Sequence, residues 1–309
     1  MTQTKSPGWA GLINLFIVYI VWGSTYLAIR YAVREGGGFP PFTLGAMRVA
    51  IAGVILFIWS ILSKQRMRPT RGEWGTLIAS GLLLWVGGNG LVSWAEQRTD
   101  SGLAALIIAA TPIWVAIIET ILDRKWPSAR MVAALLIGFL GIGVLSVPVL
   151  RSGMRADLAS IIALLLAGLS WGSGSLLQNR RPVQLAPQVN SAYQHLIGSL
   201  GFMVMVWLLN EPRPAPAPDA WIALGYLVIF GSVISFTAYV TALKQLPTKI
   251  VMTYAYVNPA IAVFLGWIFL KEQITPWTIA GAVLILFGVA GIFRDRYHLK
   301  DSQSASLDV

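Results

Sequence analysis

The chain has 309 residues, 56% of them hydrophobic and only 12% charged, with a formal net charge of +10. A water-soluble fold of this length could not hide so much apolar surface in one core, so that class is excluded. Cysteine is absent, which rules out disulfides, thiolate metal sites and cysteine nucleophiles. Two histidines, His195 and His298, are too few for a histidine metal cluster, and no cofactor or metal is expected.

Apolar runs of about 18 residues or more read as membrane-spanning helices. In chain order they fall at 10–31, 42–62, 74–94, 101–121, 131–149, 158–177, 190–209, 220–242, 250–270 and 276–293. The runs are unbroken rather than alternating, so the fold is an all-α membrane protein and not a barrel of strands. One lysine precedes the first run, which is too long for the apolar core of a cleavable signal. Turn chemistry separates several spans, as in Gly36-Gly37-Gly38-Phe39-Pro40-Pro41 and Glu211-Pro212-Arg213-Pro214-Ala215-Pro216. After Arg294 the chain turns polar, and a disordered tail is expected there.

The positive charge sits in the short loops, where it orients helices rather than binding nucleic acid. With a cytoplasmic N-terminus, fifteen basic residues face the cytoplasm and seven the other side, with Arg48 left inside the second span. Both termini are therefore expected in the cytoplasm. The expected partners are the lipid bilayer and a small-molecule substrate, with no nucleic acid, and the chain is expected to act as a monomer.

An internal repeat is the most informative pattern. A shift of 147 residues superposes Pro40 on Pro187, Trp74 on Trp221, Ala95 on Ala242, Pro112 on Pro259 and Gly141 on Gly288. Trp22-Gly23-Ser24 meets Trp171-Gly172-Ser173 at a shift of 149. Five spans is an odd number, so the second copy enters the membrane with opposite polarity. The expected organisation is a five-helix repeat over 10–149, an inverted one over 158–293 and a cytoplasmic tail over 294–309. Inverted repeats of this kind build many secondary transporters, with the binding site near the repeat interface at the midplane.

Candidate site residues follow from polar or aromatic groups inside spans. Trp22 and Ser24, with Trp171 and Ser173, place an indole and a hydroxyl in equivalent helices away from the membrane interface, where tryptophan usually collects. Glycines beside them, as in Gly168-x-x-x-Gly172, also serve close packing. Trp85 and Asn89 in the third span, Thr111 in the fourth, Tyr239 in the eighth, and Tyr254 and Asn258 in the ninth complete the candidate substrate-binding set. Pro112 and Pro259 each remove a backbone donor and crowd the carbonyl four residues earlier, at Ile108 and Ala255. Membrane helices use proline for shape alone as well as for hinges, and the duplicated position favours a hinge. Of the ionisable groups inside spans, His195 and Glu119 are the candidates for coupling. Arg48 lies about two turns from its helix end, a depth that favours snorkelling to the headgroups. No carboxylate stands at the midplane, so facilitated transport is expected over proton coupling.

An intramembrane serine protease is the alternative, invited by Gly172-Ser173-Gly174-Ser175 and His195. Neither serine has a glycine two residues before it, and no oxyanion donor is evident. No catalytic residue is therefore assigned.

The stretch Asn258-Pro259-Ala260 … Gly266-Trp267-Ile268-Phe269-Leu270-Lys271-Glu272 … Gly281 … Gly288 resembles the end of an EamA-type domain, the module of the drug/metabolite transporter superfamily. Trp22-Gly23-Ser24, Pro41, Arg48 and Thr111-Pro112 resemble its first copy, which departs from the pattern at Asp123-Arg124-Lys125 by lacking the glutamate. The resemblance implies export of amino acids or related small metabolites across the bacterial inner membrane, through a cavity lined by spans 1, 3, 4, 6, 8 and 9. The aromatic amino acid exporters of that family are similar in size and helix count.

Overall fold

A computed structural model describes residues 9–34, 36–98, 101–124, 126–145, 147, 158–261 and 275–305. Every regular element among them is helical. The order is α1 (Trp9–Val33), α2 (Pro41–Leu62), α3 (Arg71–Ala95), α4 (Ser101–Ile108), α5 (Thr111–Asp123) and α6 (Ala129–Leu145). It continues with α7 (Leu158–Arg180), α8 (Pro187–Leu208), α9 (Pro218–Gln245), α10 (Thr248–Val251), α11 (254–261) and α12 (Pro276–Ala305). Five of these, α1, α2, α3, α7 and α9, are long and apolar enough to cross a membrane.

The distribution of polarity is that of a membrane protein. Outer faces carry large apolar side chains such as Phe16, Leu140, Met203 and Trp207, each at least half exposed. The interior instead collects polar groups, among them Ser80, Thr111, Ser175, Asn190, Gln194 and Ser232. With no water at that depth, such groups must bond to the protein. Ser80 Oγ donates to the Thr76 carbonyl at 2.6 Å, and Gln194 Nε2 to Gln178 Oε1 at 2.7 Å.

Contacts pair elements with their counterparts at the 147-residue shift. Helix α2 packs along α8, and α6 along α12. The α3–α7 contact is matched by one between α9 and α1. Close approach depends on glycine at equivalent places. A Cβ on Gly141 would lie 2.7 Å from the Ile285 nitrogen, and one on Gly288 2.6 Å from the Gly138 nitrogen and Cα.

Loops are tied by charge at helix starts. Pro41 opens α2, where its missing N–H costs nothing. The Glu211 carboxylate then accepts the Phe42 and Thr43 N–H groups at 2.9 and 2.7 Å and the Thr43 hydroxyl at 2.7 Å. A carboxylate there satisfies orphan donors and complements the helix dipole. Glu211→Ala is expected to cost about 1–2 kcal/mol, read as a lower thermal unfolding midpoint in detergent. Thr70 and Glu73 form a capping box at the start of α3, and Glu73 also takes the Gln184 N–H at 2.8 Å.

Three features differ from the sequence expectation. The fourth span is broken: α4 ends at Ile108, and Ala109–Ala110 form a turn before α5. Pro112 thus sits in the first turn of a helix, and Thr111 Oγ1 donates to the Ile108 carbonyl at 2.6 Å, serving the very acceptor that Pro112 leaves unpaired. The ninth span breaks at Met252–Thr253, six residues before Pro259, and its remainder, 262–270, lies outside the described residues. Finally, the chain beyond Arg294 is helical to Ala305 rather than irregular. No glycine or proline interrupts 294–305, so α12 has nothing to stop it.

Candidate functional site

Two stretches depart from α geometry. Leu82–Gly90 within α3 and Leu227–Ile234 within α9 are π-helical. They occupy nearly equivalent places in the repeat. A π turn widens the helix, frees main-chain groups and re-aims side chains, and such turns collect at functional sites.

A cavity lies against the first of these turns, and two of its wall residues, Trp22 and Arg48, bond to the second. Its walls are Trp22, Thr25 and Tyr26 from α1, Arg48 from α2, and Trp85, Gly88 and Asn89 from the π turn of α3. Ile108, Trp171, Tyr254 and Asn258 close it from α4, α7 and α11. The mostly apolar wall with a few polar groups is the kind of lining that small-molecule sites use.

One wall is aromatic. The equivalent tryptophans of the two halves meet edge to face, with Trp22 and Trp171 centroids 5.3 Å apart. Trp22 also lies 4.9 Å from the Tyr239 ring and 5.1 Å from that of Tyr254. Both indole N–H groups are committed: Trp22 Nε1 donates to the Gly231 carbonyl at 3.1 Å, and Trp171 Nε1 to the Tyr239 hydroxyl at 3.1 Å. The rings are thereby fixed, with their faces as the contact surface. Asn258, its amide oriented by its neighbours, donates to the Tyr254 and Tyr19 carbonyls at 3.0 and 3.2 Å.

Of the ten residues predicted to bind substrate, Trp22, Trp85, Asn89, Trp171, Tyr254 and Asn258 line this cavity. The other four do not line it. Ser24 Oγ donates to the Val21 carbonyl at 2.6 Å, and Ser173 Oγ to that of Leu169 at 2.8 Å. Thr111 serves Ile108, and Tyr239 is fully buried against Trp171 and Ser175.

The coupling candidates lie elsewhere. His195 is fully buried, with Nδ1 2.7 Å from the Ser191 carbonyl and its ring between Trp85 and Phe236. Glu119 lines a second cavity with Pro112, Thr120 and Lys249. Among the described residues no cluster of histidine, aspartate or glutamate could hold a metal ion.

The sequence reading missed two charged groups. Arg48 does not snorkel: it is 3% exposed and turned into the cavity. Glu96 is fully buried, its carboxyl without a hydrogen-bond partner, while its main-chain carbonyl accepts from Arg30. It stands two residues past the predicted end of the third span, so a boundary placed short removed it from view.

These features define a polytopic helical membrane protein with an aromatic-walled cavity lined by residues of both its halves. The EamA-like transporter family matches residues 9–147 and again 158–294, and the chain belongs to that family. It is 30% identical over 256 residues to YedA of Escherichia coli (strain K12), named an uncharacterized inner membrane transporter, covering 82% of this chain and 80% of that one. YoaV of Bacillus subtilis (strain 168), named an uncharacterized transporter, is 22% identical over 90% of this chain and 94% of its own. A protein of known crystal structure matches the fold with a TM-score of 0.75, at 21% identity, over 93% of this chain and 96% of its own.

Proposed function

We propose that this chain is a secondary transporter that exports amino acids or related small metabolites across the bacterial inner membrane by alternating access. The observation that carries the reading is the aromatic cavity at the meeting of the two family-matched halves. Two five-helix repeats of opposite polarity, with both termini cytoplasmic, give the simplest account of the paired contacts and the basic loops. In this reading the chain works as a monomer, each copy carrying its own cavity. The turns at Ala109–Ala110, beside Pro112, and at Met252–Thr253, six residues before Pro259, are the places where rocking of the halves would bend the chain. Transport is facilitated. His195 packs behind the wall residue Trp85 without lining the cavity, and Glu119 lies in the second cavity, so neither touches a ligand in the first.

An intramembrane protease finds less support. Ser173 and Ser175 direct their hydroxyls to the carbonyls of Leu169 and Trp171, and neither bonds to His195.

Purified protein in liposomes, tested for counterflow with a panel of amino acids and related metabolites, checks the reading. Saturable equilibrating flux of at least one is expected. An imposed pH gradient should not make that flux concentrative, and His195→Ala and Glu119→Gln should retain it. Flux of none would overturn the function. Accumulation driven by the gradient, and lost in either variant, would overturn facilitated transport.

A further inference from the structure

Arg48 is a buried cation that has no counter-ion among the described residues. Its Nε donates to Ser232 Oγ at 2.8 Å and its Nη1 to Asn89 Oδ1 at 3.1 Å, one partner from each π-helical turn. The guanidinium carbon lies 5.2 Å over the Trp85 ring. Gly231 leaves space beside Nη2, where a Cβ would come within 3.0 Å. Among the described residues no carboxylate lies within ion-pair distance of Arg48, and no aspartate or glutamate lines the cavity. Trp85 lines the same cavity, is 1% exposed, and its Nε1 has no acceptor.

This arrangement is costly for a purely structural residue. A guanidinium stays protonated in proteins, and taking a charge out of water requires pairing and full hydrogen bonding to offset the loss. Two neutral acceptors and one ring leave Nη2 and part of the charge uncompensated. The planar fork is also the group best shaped for a carboxylate.

We propose that the cavity is an anion-selective site, in which the Arg48 guanidinium takes the carboxylate of a small organic acid. The Trp22, Trp171 and Tyr254 rings take its apolar or aromatic body. The proposal rests on the transporter reading and narrows its substrate to monocarboxylates. A substrate ammonium meets no carboxylate on the cavity wall, so the amine of an amino acid contributes little to binding.

The test uses three probes that share an indole body, titrated calorimetrically into the purified protein in detergent: indole-3-propionate, its primary amide and tryptamine. The acid is expected to bind at least about tenfold more tightly than the amide, since one charge-assisted pair is at stake, and tryptamine should bind weakest. In Arg48→Gln the acid should lose at least about tenfold more affinity than the amide, so that the two converge. Arg48→Lys should restore part of the preference. A merely structural arginine would weaken both probes together and leave their ratio unchanged. Equal affinities in the wild type, or a preference for tryptamine, would overturn the proposal even if no variant folds. Binding of none of the three would instead overturn the ligand-binding reading of the cavity, and the anion site with it.

Discussion

Trp22→Ala is expected to reduce transport by at least about tenfold and to lower the thermal unfolding midpoint, because one side chain serves both the cavity wall and the joint between halves. The Trp22 ring touches Trp171, Tyr239 and Tyr254, which come from three other helices. Truncating a buried tryptophan costs roughly 3–5 kcal/mol when the site cannot collapse, and fixed rings on three sides resist collapse. The change also frees the Gly231 carbonyl, which accepts the Trp22 N–H within the π turn of α9. Trp22→Phe separates the two contributions. It keeps a ring against Trp171 but leaves that carbonyl unpaired, a loss of about 1–3 kcal/mol. The expected order of initial rates in liposomes is wild type, then phenylalanine, then alanine, with flux normalised to inserted protein. An alanine variant with wild-type flux would remove the aromatic wall from the site.

How far the sequence led depends on what each signal encodes. Hydropathy reports burial in lipid, so it placed α1, α2, α3, α7 and α9 within a few residues. The 147-residue shift paired Gly141 with Gly288, and the structure gives both glycines the same backbone environment. The rotation of a helix about its axis is weakly encoded where both faces are apolar. Counting turns from a helix end could therefore say how deep Arg48 lies but not which way it points. The π turns were invisible for a related reason. A shift from i→i+4 to i→i+5 bonding changes no composition, although Gly87-Gly88-Asn89-Gly90 was a hint that the backbone there is unusual. Proline did mark the break of the fourth span, because the lost donor and the crowded carbonyl act locally. In the ninth span the break falls at Met252–Thr253 instead. There Thr253 Oγ1 donates to the Ile250 carbonyl at 2.6 Å and ends α10 by a side-chain bond that span-length hydropathy does not register.

The seam between α6 and α12 is where a single methyl group should do most to the fold without touching the cavity. A Cβ on Gly141 would lie 2.7 Å from the Ile285 nitrogen and 2.9 Å from the Gly281 carbonyl oxygen. On Gly288 it would lie 2.6 Å from Gly138 main-chain atoms and 2.9 Å from the Ala134 carbonyl oxygen. These are backbone contacts, so no rotamer change relieves them, and the helices must separate along their whole contact. Forcing an extra carbon into such packing costs about 1–3 kcal/mol. Gly143, two residues along the same helix, has nothing within 4 Å of its Cβ direction. There alanine is free of steric cost and gains up to about 1 kcal/mol of helix propensity. Gly141→Ala and Gly288→Ala are thus expected to lower the unfolding midpoint and the yield of monodisperse protein. Gly143→Ala should leave both unchanged or raised. The difference in sign isolates the close approach from any general effect of replacing glycine in a membrane helix. Equal midpoints for Gly141→Ala and Gly143→Ala would mean that α6 and α12 do not meet backbone to backbone.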